Sequence, residues 1–154
     1  RDREGRRIVA ATQGEGALTT RARGARVHRS ASQCWRRRKR LEADGLIRGY
    51  RADLDAARLG LTITVYVNVM LNTHSPENAE RFQRLVARLP EVQEAHRLAG
   101  DIDYILKVVV ANARAYDTFY QALISEVKVH NVTALLSMEE IKSTTMLPLQ
   151  TTSV

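Results

Sequence analysis

The stretch LTITVYVNVML at residues 61–71 constrains the fold of this chain more than any other segment. Apolar and polar side chains alternate along it, and a period of two is typical of a β-strand with one buried face. The residues on the predicted core face are Ile63, Val65, Val67, Val69 and Leu71. The chain therefore needs further strands to pair with this one, and other elements to cover its apolar face.

Two amphipathic helices are predicted from the apolar spacing in the second half of the chain. Ser75 is suited to cap the first helix, Pro76 to occupy its first position, and the helix should end near Pro90. The predicted core face of this helix is formed by Phe82, Leu85, Val86 and Leu89. The second helix covers residues 113–127. Its predicted core face is formed by Tyr116, Phe119, Tyr120, Leu123, Ile124 and Val127.

Three more strands complete the second half. Residues 92–100 read as a weaker strand and residues 102–110 as a strong one, with Gly100 and Asp101 in the turn between them. Residues 131–141 read as the last strand. The order β-α-β-β-α-β predicts a ferredoxin-like sandwich, in which four antiparallel strands carry both helices on one side.

The other side of this sheet is left open by the predicted fold. It carries Tyr66, Val109 and Leu135, and these side chains are too apolar for a face that contacts only water. An exposed apolar sheet face usually marks an interface, and homo-oligomers favour two-fold symmetry. We therefore expect a homodimer that pairs these faces. The alternative is that a loop or the N-terminal part of the chain covers them.

The N-terminal residues 1–60 predict a unit of three short helices. The third lies in SASQCWRRRKRLEADG, residues 30–45, where Ser30 is suited to cap the start and Gly45 to end the helix. One face of this helix carries Cys34, Arg38 and Leu41. The opposite face carries Ser32, Gln33, Arg36, Arg37 and Arg40, with Trp35 and Lys39 at its edges.

Positive charge is concentrated in this N-terminal unit. Residues 1–60 contain sixteen Lys or Arg and seven Asp or Glu, whereas residues 61–154 contain eight and ten, so the net charges are +9 and −2. A basic third helix is suited to be the recognition helix of a helix-turn-helix in the major groove of duplex DNA. The candidate DNA-binding residues are Ser32, Gln33, Trp35, Arg36, Arg37 and Arg40. The alternative is a solvated charged face without a partner.

Several other classes of protein are disfavoured. The four histidines, at positions 28, 74, 96 and 130, have no metal-ligand spacing with each other or with Cys34, so we expect neither an enzyme nor a metal or other cofactor. An RNA-binding sheet of the same element order would need basic and aromatic side chains on its central strands. A single cysteine suits the reducing cytoplasm, and no apolar run is long enough for a membrane span.

Taken together, three blocks of sequence resemble the Lrp/AsnC family of transcription regulators, also called feast/famine regulators. The blocks are SASQCWRRRKRLEADGLIRGY, AGDIDYILKV and LLSMEEIKSTTMLPL. The resemblance covers nearly the whole chain and implies an α+β protein. A three-helix helix-turn-helix DNA-binding domain would occupy residues 1–50, a linker residues 51–61, and a ferredoxin-like effector-binding and oligomerisation domain residues 62–154.

The resemblance also implies partners and a second site. The family binds small effectors, usually amino acids, in clefts between its C-terminal domains, and its dimers often assemble further into octamers. The positions that match the family's effector site are Gly100, Asp101, Asp103, Tyr104, Leu135, Leu136 and Ser137. Asp101 or Asp103 could hold the ammonium group of an amino acid, and backbone N–H groups at the Gly100 turn its carboxylate. The alternative for this motif is an ordinary hairpin turn.

The N-terminal unit departs from the family pattern at positions that should form its small core. The departures are Arg23, Arg29 and Arg38 at apolar positions of the later helices, Glu4 and Thr12 in the first helix, and His28 at a glycine position. Burying an unpaired guanidinium costs several kcal/mol. Three explanations stay open: different but functional packing, an unreliable stretch of sequence, or a degenerate domain. The last would leave an amino-acid-sensing oligomeric module with a weak DNA reader.

Overall fold

The computed structural model of the protein describes residues 31–149. Within the described part of the chain, residues 31–54 together with 142–149 belong to one compact unit and residues 55–141 form the other. The first two predicted helices and the proposed cap Ser30 lie outside the described residues.

The described part of the first unit contains helix α1, and the second unit contains a four-stranded sheet with two helices. The elements are α1 (Ala31–Ala43), a short 3-10 helix (Ala57–Leu59), β1 (Ile63–Leu71), α2 (Pro76–Arg88), β2 (Val92–Arg97), β3 (Tyr104–Val110), α3 (Ala113–Glu126) and β4 (Val129–Leu136). The strand order is β2-β3-β1-β4, and every neighbouring pair is antiparallel. The predicted ferredoxin-like order of elements is confirmed.

The core lies between the sheet and the two helices of the second unit. The core face of β1 is confirmed, because Val65, Val67, Val69 and Leu71 are buried. Phe82 on α2 stacks on Tyr104 of β3 with ring centroids 4.0 Å apart. The prediction was wrong for Ile124, which is 38% exposed. It lies about 100° around the helix from buried Leu123, and this rotation carries it past the edge of the core face.

Side-chain caps set the beginnings of both helices in the second unit. Ser75 caps α2 as predicted, since its hydroxyl accepts a hydrogen bond of 3.1 Å from the Asn78 backbone N–H. Asn112 caps α3 in the same way, accepting from the Ala115 N–H at 2.8 Å. Each cap satisfies a backbone donor that the first turn of a helix leaves unpaired, so the helix starts are fixed by local chemistry.

Asn78 is buried on α2 and joins that helix to the segment between α3 and β4. Its side-chain amide donates to the carbonyl oxygens of Thr73 at 2.8 Å and Lys128 at 3.0 Å. Its side-chain oxygen accepts from the Lys128 backbone N–H at 2.9 Å. These three bonds satisfy backbone groups that are far apart in the sequence, so one polar side chain fixes two segments of the second unit.

The last strand is shorter than predicted and lies two residues earlier at its start. It covers Val129–Leu136 rather than residues 131–141. The reason is the register, because Leu136 pairs with Val65 and the Ser137 N–H donates to the Thr64 carbonyl oxygen at 2.9 Å. Residues beyond 138 would have to pair with residues that precede β1, so no strand remains to extend the ladder.

Helix α1 ends as the sequence predicts. Gly45 has φ of 76°, a left-handed conformation that favours glycine. The Gly45 N–H donates to the Glu42 carbonyl oxygen at 3.0 Å, and the Leu46 N–H donates to that of Leu41 at 2.9 Å. These two bonds form the Schellman motif that commonly terminates helices.

Candidate functional site

Helix α1 presents most of its polar side chains to solvent. Its exposed residues include Ser32, Gln33, Trp35, Arg36 and Arg40, and Arg37 is half-buried. Cys34 is the one buried residue of the helix, with Leu41 packed against it. Of the six candidate DNA-binding residues, five are thus exposed on one helix, at a spacing suited to base edges and phosphates along a major groove.

Arg38 lies beside an acidic and an aromatic side chain. Its Nε lies 3.8 Å from the Glu42 Oε1, and its guanidinium carbon lies 6.0 Å from the centroid of the Tyr50 ring. The Tyr50 hydroxyl donates to the same Glu42 oxygen at 3.1 Å. The chain thus provides an anion and an aromatic ring beside the unexpected arginine.

Trp35 and Lys39 form a second local contact on α1. The Lys39 ammonium lies 5.6 Å from the centroid of the Trp35 ring, within the range of a cation–π interaction. It also lies 3.7 Å from the Glu42 Oε2. Trp35 is nevertheless 48% exposed, so this large ring remains accessible to a partner beside the basic face.

A cavity lies at one end of the sheet in the second unit, beside the turn between β2 and β3. We refer to it as the turn cavity, and its volume is about 640 Å³. It is lined by Leu71, His74, Ser75, Pro76, Ala79, Arg97, Leu98, Ala99, Asp103 and Tyr104. Its size falls in the usual range for small-molecule sites. Its lining combines apolar side chains with one carboxylate, one guanidinium and one imidazole.

Asp103 is held firmly at the wall of this cavity. Its backbone N–H donates to the Val69 carbonyl oxygen at 3.0 Å, and its own carbonyl oxygen accepts from the Leu98 N–H at 2.8 Å. Its carboxylate accepts from the Leu71 backbone N–H at 2.7 Å. The His74 Nε2 lies 3.2 Å from each carboxylate oxygen. Because the backbone bonds fix its position, Asp103 presents a defined negative charge to the cavity.

The seven predicted effector residues fall into three places. Asp103 and Tyr104 line the turn cavity, whereas Gly100 and Asp101 lie in the adjacent turn without lining it. Leu135, Leu136 and Ser137 lie at the other end of the sheet. Ser137 bonds to Thr64 and Asp103 to Val69, which are separated by about 17 Å of strand at the usual rise per residue. A single chain therefore does not bring Leu135, Leu136 and Ser137 close to Asp103.

His74 and Arg97 also line the cavity, although the sequence did not predict them as site residues. Arg97 pairs with Tyr104 across β2 and β3, so the strand register brings it to the same end of the sheet as Asp103. His74 precedes the cap of α2 and reaches Asp103 across a separation of 29 residues. Only their chemical type could have pointed to a site, because a single His or Arg near the end of a strand or helix belongs to no repeating pattern.

Between residues 31 and 149, no group of three or more His, Cys, Asp or Glu side chains could hold a metal ion. In the same part of the chain, no helix is both long and apolar enough to cross a membrane.

Two family models match the chain. One, described as the Lrp/AsnC ligand binding domain, matches residues 64–147, and the other, described as winged helix-turn-helix DNA-binding, matches residues 1–48. The first model covers the described sheet domain and the turn cavity. The second covers α1, so the two candidate sites lie in two separately matched regions.

Similar proteins include two curated regulators and a solved structure. The glutamate uptake regulatory protein of Zymomonas mobilis is 48% identical over 124 residues, 80% of this chain and 76% of that protein. The DNA-binding transcriptional activator DecR of Escherichia coli is 38% identical over 150 residues, 97% of this chain and 99% of its own. A transcriptional regulator of Neisseria meningitidis in complex with L-methionine is 31% identical, has a TM-score of 0.91, and matches over 96% of both chains.

Proposed function

The chain belongs to the Lrp/AsnC family of transcription regulators, and from this membership we propose that α1 reads duplex DNA and that the turn cavity binds an amino-acid effector. The single observation that supports the effector site most strongly is that a fixed carboxylate, Asp103, and a guanidinium, Arg97, both line one cavity of suitable size. An amino acid carries the two complementary charges.

The DNA-reading role is divided among four polar residues of α1. Gln33 and Arg37 are placed to affect sequence preference, because amide and guanidinium groups pair with base edges in the major groove. Arg36 and Arg40 are placed to contact phosphates, which sets affinity and its dependence on salt. Both are exposed, and neither has an ion-pair partner within residues 31–149.

The effector role is supported by the charges and the apolar wall of the turn cavity. Asp103 would receive the ammonium group and Arg97 the carboxylate, which leaves the effector side chain against Leu71, Pro76 or Leu98. The similar structure in complex with L-methionine supports an amino acid or a close derivative as the ligand. Arg97 replaces the backbone N–H groups of the Gly100 turn as our first choice of carboxylate partner.

The open sheet face supports a homodimer. Tyr66 and Leu135 face each other across β1 and β4 and are 38% and 51% exposed. Pairing two such faces would remove this apolar surface from water and leave the helices outside. Further assembly of dimers into octamers is part of the same proposal, and it would bring β4 residues of one chain to the cavity of another.

A second candidate function is an amino-acid-sensing module with a weak DNA reader. The observation that favours it is Arg38, whose Nε is buried without a hydrogen bond even though Glu42 and Tyr50 lie nearby. An unsatisfied buried donor weakens a small helical unit by about 1–3 kcal/mol. Strong binding of promoter DNA by the wild-type chain would exclude this alternative.

The experiment that tests the effector site compares Asp103 with Asp101, a second carboxylate close to Gly100 that does not line the cavity. Isothermal titration calorimetry measures binding of each of the twenty common L-amino acids, one at a time, to the wild type, Asp103→Asn and Asp101→Asn. Asn at position 103 keeps an oxygen for the Leu71 N–H but removes the charge. We expect at least a tenfold loss of affinity in Asp103→Asn and little change in Asp101→Asn. Equal affinities in all three proteins would overturn the assignment.

A further inference from the structure

The contact between His74 and Asp103 occupies the position that the effector's ammonium group needs. The His74 Nε2 lies at the same distance, 3.2 Å, from both carboxylate oxygens. A carboxylate is an acceptor only, so this nitrogen carries the proton and donates it. A primary ammonium group would seek the same point, since its three donors can reach both oxygens at once.

The two partners of this contact differ in how firmly they are held. The Asp103 side chain is 23% exposed, and its carboxylate is tied to the Leu71 N–H at 2.7 Å. The His74 side chain is 69% exposed and, among residues 31–149, contacts no other hydrogen-bonding or charged partner. Displacement would therefore move the imidazole and leave the carboxylate in place.

The imidazole of His74 and the ammonium of an incoming ligand compete for one position in the cavity. His74, Arg97 and Asp103 all line it, so a ligand whose carboxylate meets Arg97 brings its ammonium to the oxygens that His74 occupies. An ammonium that bonds both Asp103 oxygens at once would lie where the imidazole nitrogen now lies, so the two groups cannot share this bridging position. Binding then exchanges one donor for another on a fixed acceptor.

We propose that His74 is a displaceable cap on the effector site: in the free protein it fills the ammonium position on Asp103, and an amino acid binds by replacing it. This inference rests on the proposed effector function and adds a residue that sets the affinity of the site. Exposed pairs of this kind shift an equilibrium by roughly 1.5- to fivefold. Removing the imidazole should therefore tighten effector binding by about that factor.

The test measures binding of the tightest amino acid from the panel of twenty to four proteins by calorimetry. These are the wild type, His74→Ala, His74→Gln and His130→Ala, in which an exposed histidine of β4 outside the cavity is removed. We expect tighter binding in His74→Ala by roughly 1.5- to fivefold. His74→Gln keeps one donor and should gain less, and His130→Ala should match the wild type.

A spectroscopic readout separates displacement from a general effect on folding. In NMR spectra of the wild type, saturating amino acid should shift the His74 ring signals, and the N-acetylated amino acid, which lacks the ammonium, should not. Unchanged or weaker amino-acid binding in His74→Ala would overturn the proposal that His74 is a cap, even if Asp103→Asn abolishes binding. If no amino acid binds the wild type, or Asp103→Asn binds normally, the proposed effector site fails as well.

Discussion

Helices α1 and α2 both contain thirteen residues but bury very different surfaces. Helix α2 buries Phe82, Leu85 and Asn78, and it carries a side-chain cap at its start. Helix α1 buries Cys34 alone and exposes most of its polar side chains. Since most helix stability in proteins comes from packing of one face, the difference indicates that α2 serves the core and that α1 keeps its surface for a partner.

The basic residues of the two helices show the same contrast. On α2, Arg84 pairs with Glu80, and Arg88 pairs with Glu126 of α3. The hydrogen bond from Arg88 holds the pKa of the Glu126 carboxyl below its ordinary value. On α1, Arg36 and Arg40 have no such partner among the described residues. Arg84 and Arg88 of α2 thus form ion pairs within the fold, whereas Arg36 and Arg40 of α1 are available to phosphate.

The largest effect is expected where α2 joins the rest of its unit. Replacing Asn78 by Ala removes three hydrogen bonds and leaves the backbone groups of Thr73 and Lys128 unsatisfied. We expect the free energy of unfolding to fall by about 2–4 kcal/mol in urea titrations. The control is Asn131→Ala, since the exposed Asn131 side chain, among residues 31–149, bonds only to the Thr133 hydroxyl. Equal losses in the two variants would contradict the role of α2 as a core helix.

A smaller effect is expected at the end of α1. Replacing Gly45 by Ala forces a side chain into a conformation with φ of 76°, which costs about 1 kcal/mol. Gly49→Ala is a matched control, because Gly49 lacks positive φ and an added Cβ would meet nothing within 4 Å. Thermal unfolding should separate the two variants. If Gly49→Ala is destabilised as much as Gly45→Ala, the helix end is not set by the Schellman motif.

The smallest effect concerns the salt dependence of DNA binding. Replacing Arg40 by Ala should make the slope of log affinity against log salt concentration shallower by about 0.9, the value for one lost phosphate contact. Arg84→Ala on α2 is the control, since Arg84 already pairs with Glu80 and should not contribute. The slope is obtained from fluorescence anisotropy with duplex promoter DNA. An unchanged slope in Arg40→Ala would remove this residue from the interface.

Local signals in the sequence predicted much of the fold. The alternation in residues 61–71 gave the core face of β1, and Ser75 and Gly45 marked helix ends through their own side-chain or backbone chemistry. The end of β4 and the exposure of Ile124 were missed. Both depend on how far β1 extends and how α3 is rotated against the sheet, which are properties of the packed unit rather than of a short segment.

The two candidate sites also differ in how much of each could be predicted from a local segment of sequence. The exposed side of α1 follows from helical periodicity alone, so its residues could be named from the sequence. The turn cavity is built from three separate segments, and the register of β2 with β3 brings Arg97 to it while a loop brings His74. Arg38 was recognised as unusual; its contact with Glu42 is an i,i+4 pair within α1, but its contact with Tyr50 depends on where the chain turns after the helix.

The most direct test of the account asks whether the two regions act on one another. The affinity of the wild type and of Asp103→Asn for duplex DNA from the chain's own promoter region is measured with and without a mixed amino-acid pool. A regulator that couples its sites should change DNA affinity roughly 5- to 150-fold with the pool. We predict that change in the wild type and its loss in Asp103→Asn, with equal affinities when no amino acid is present. An equal response in both proteins, or none in the wild type, would contradict the account.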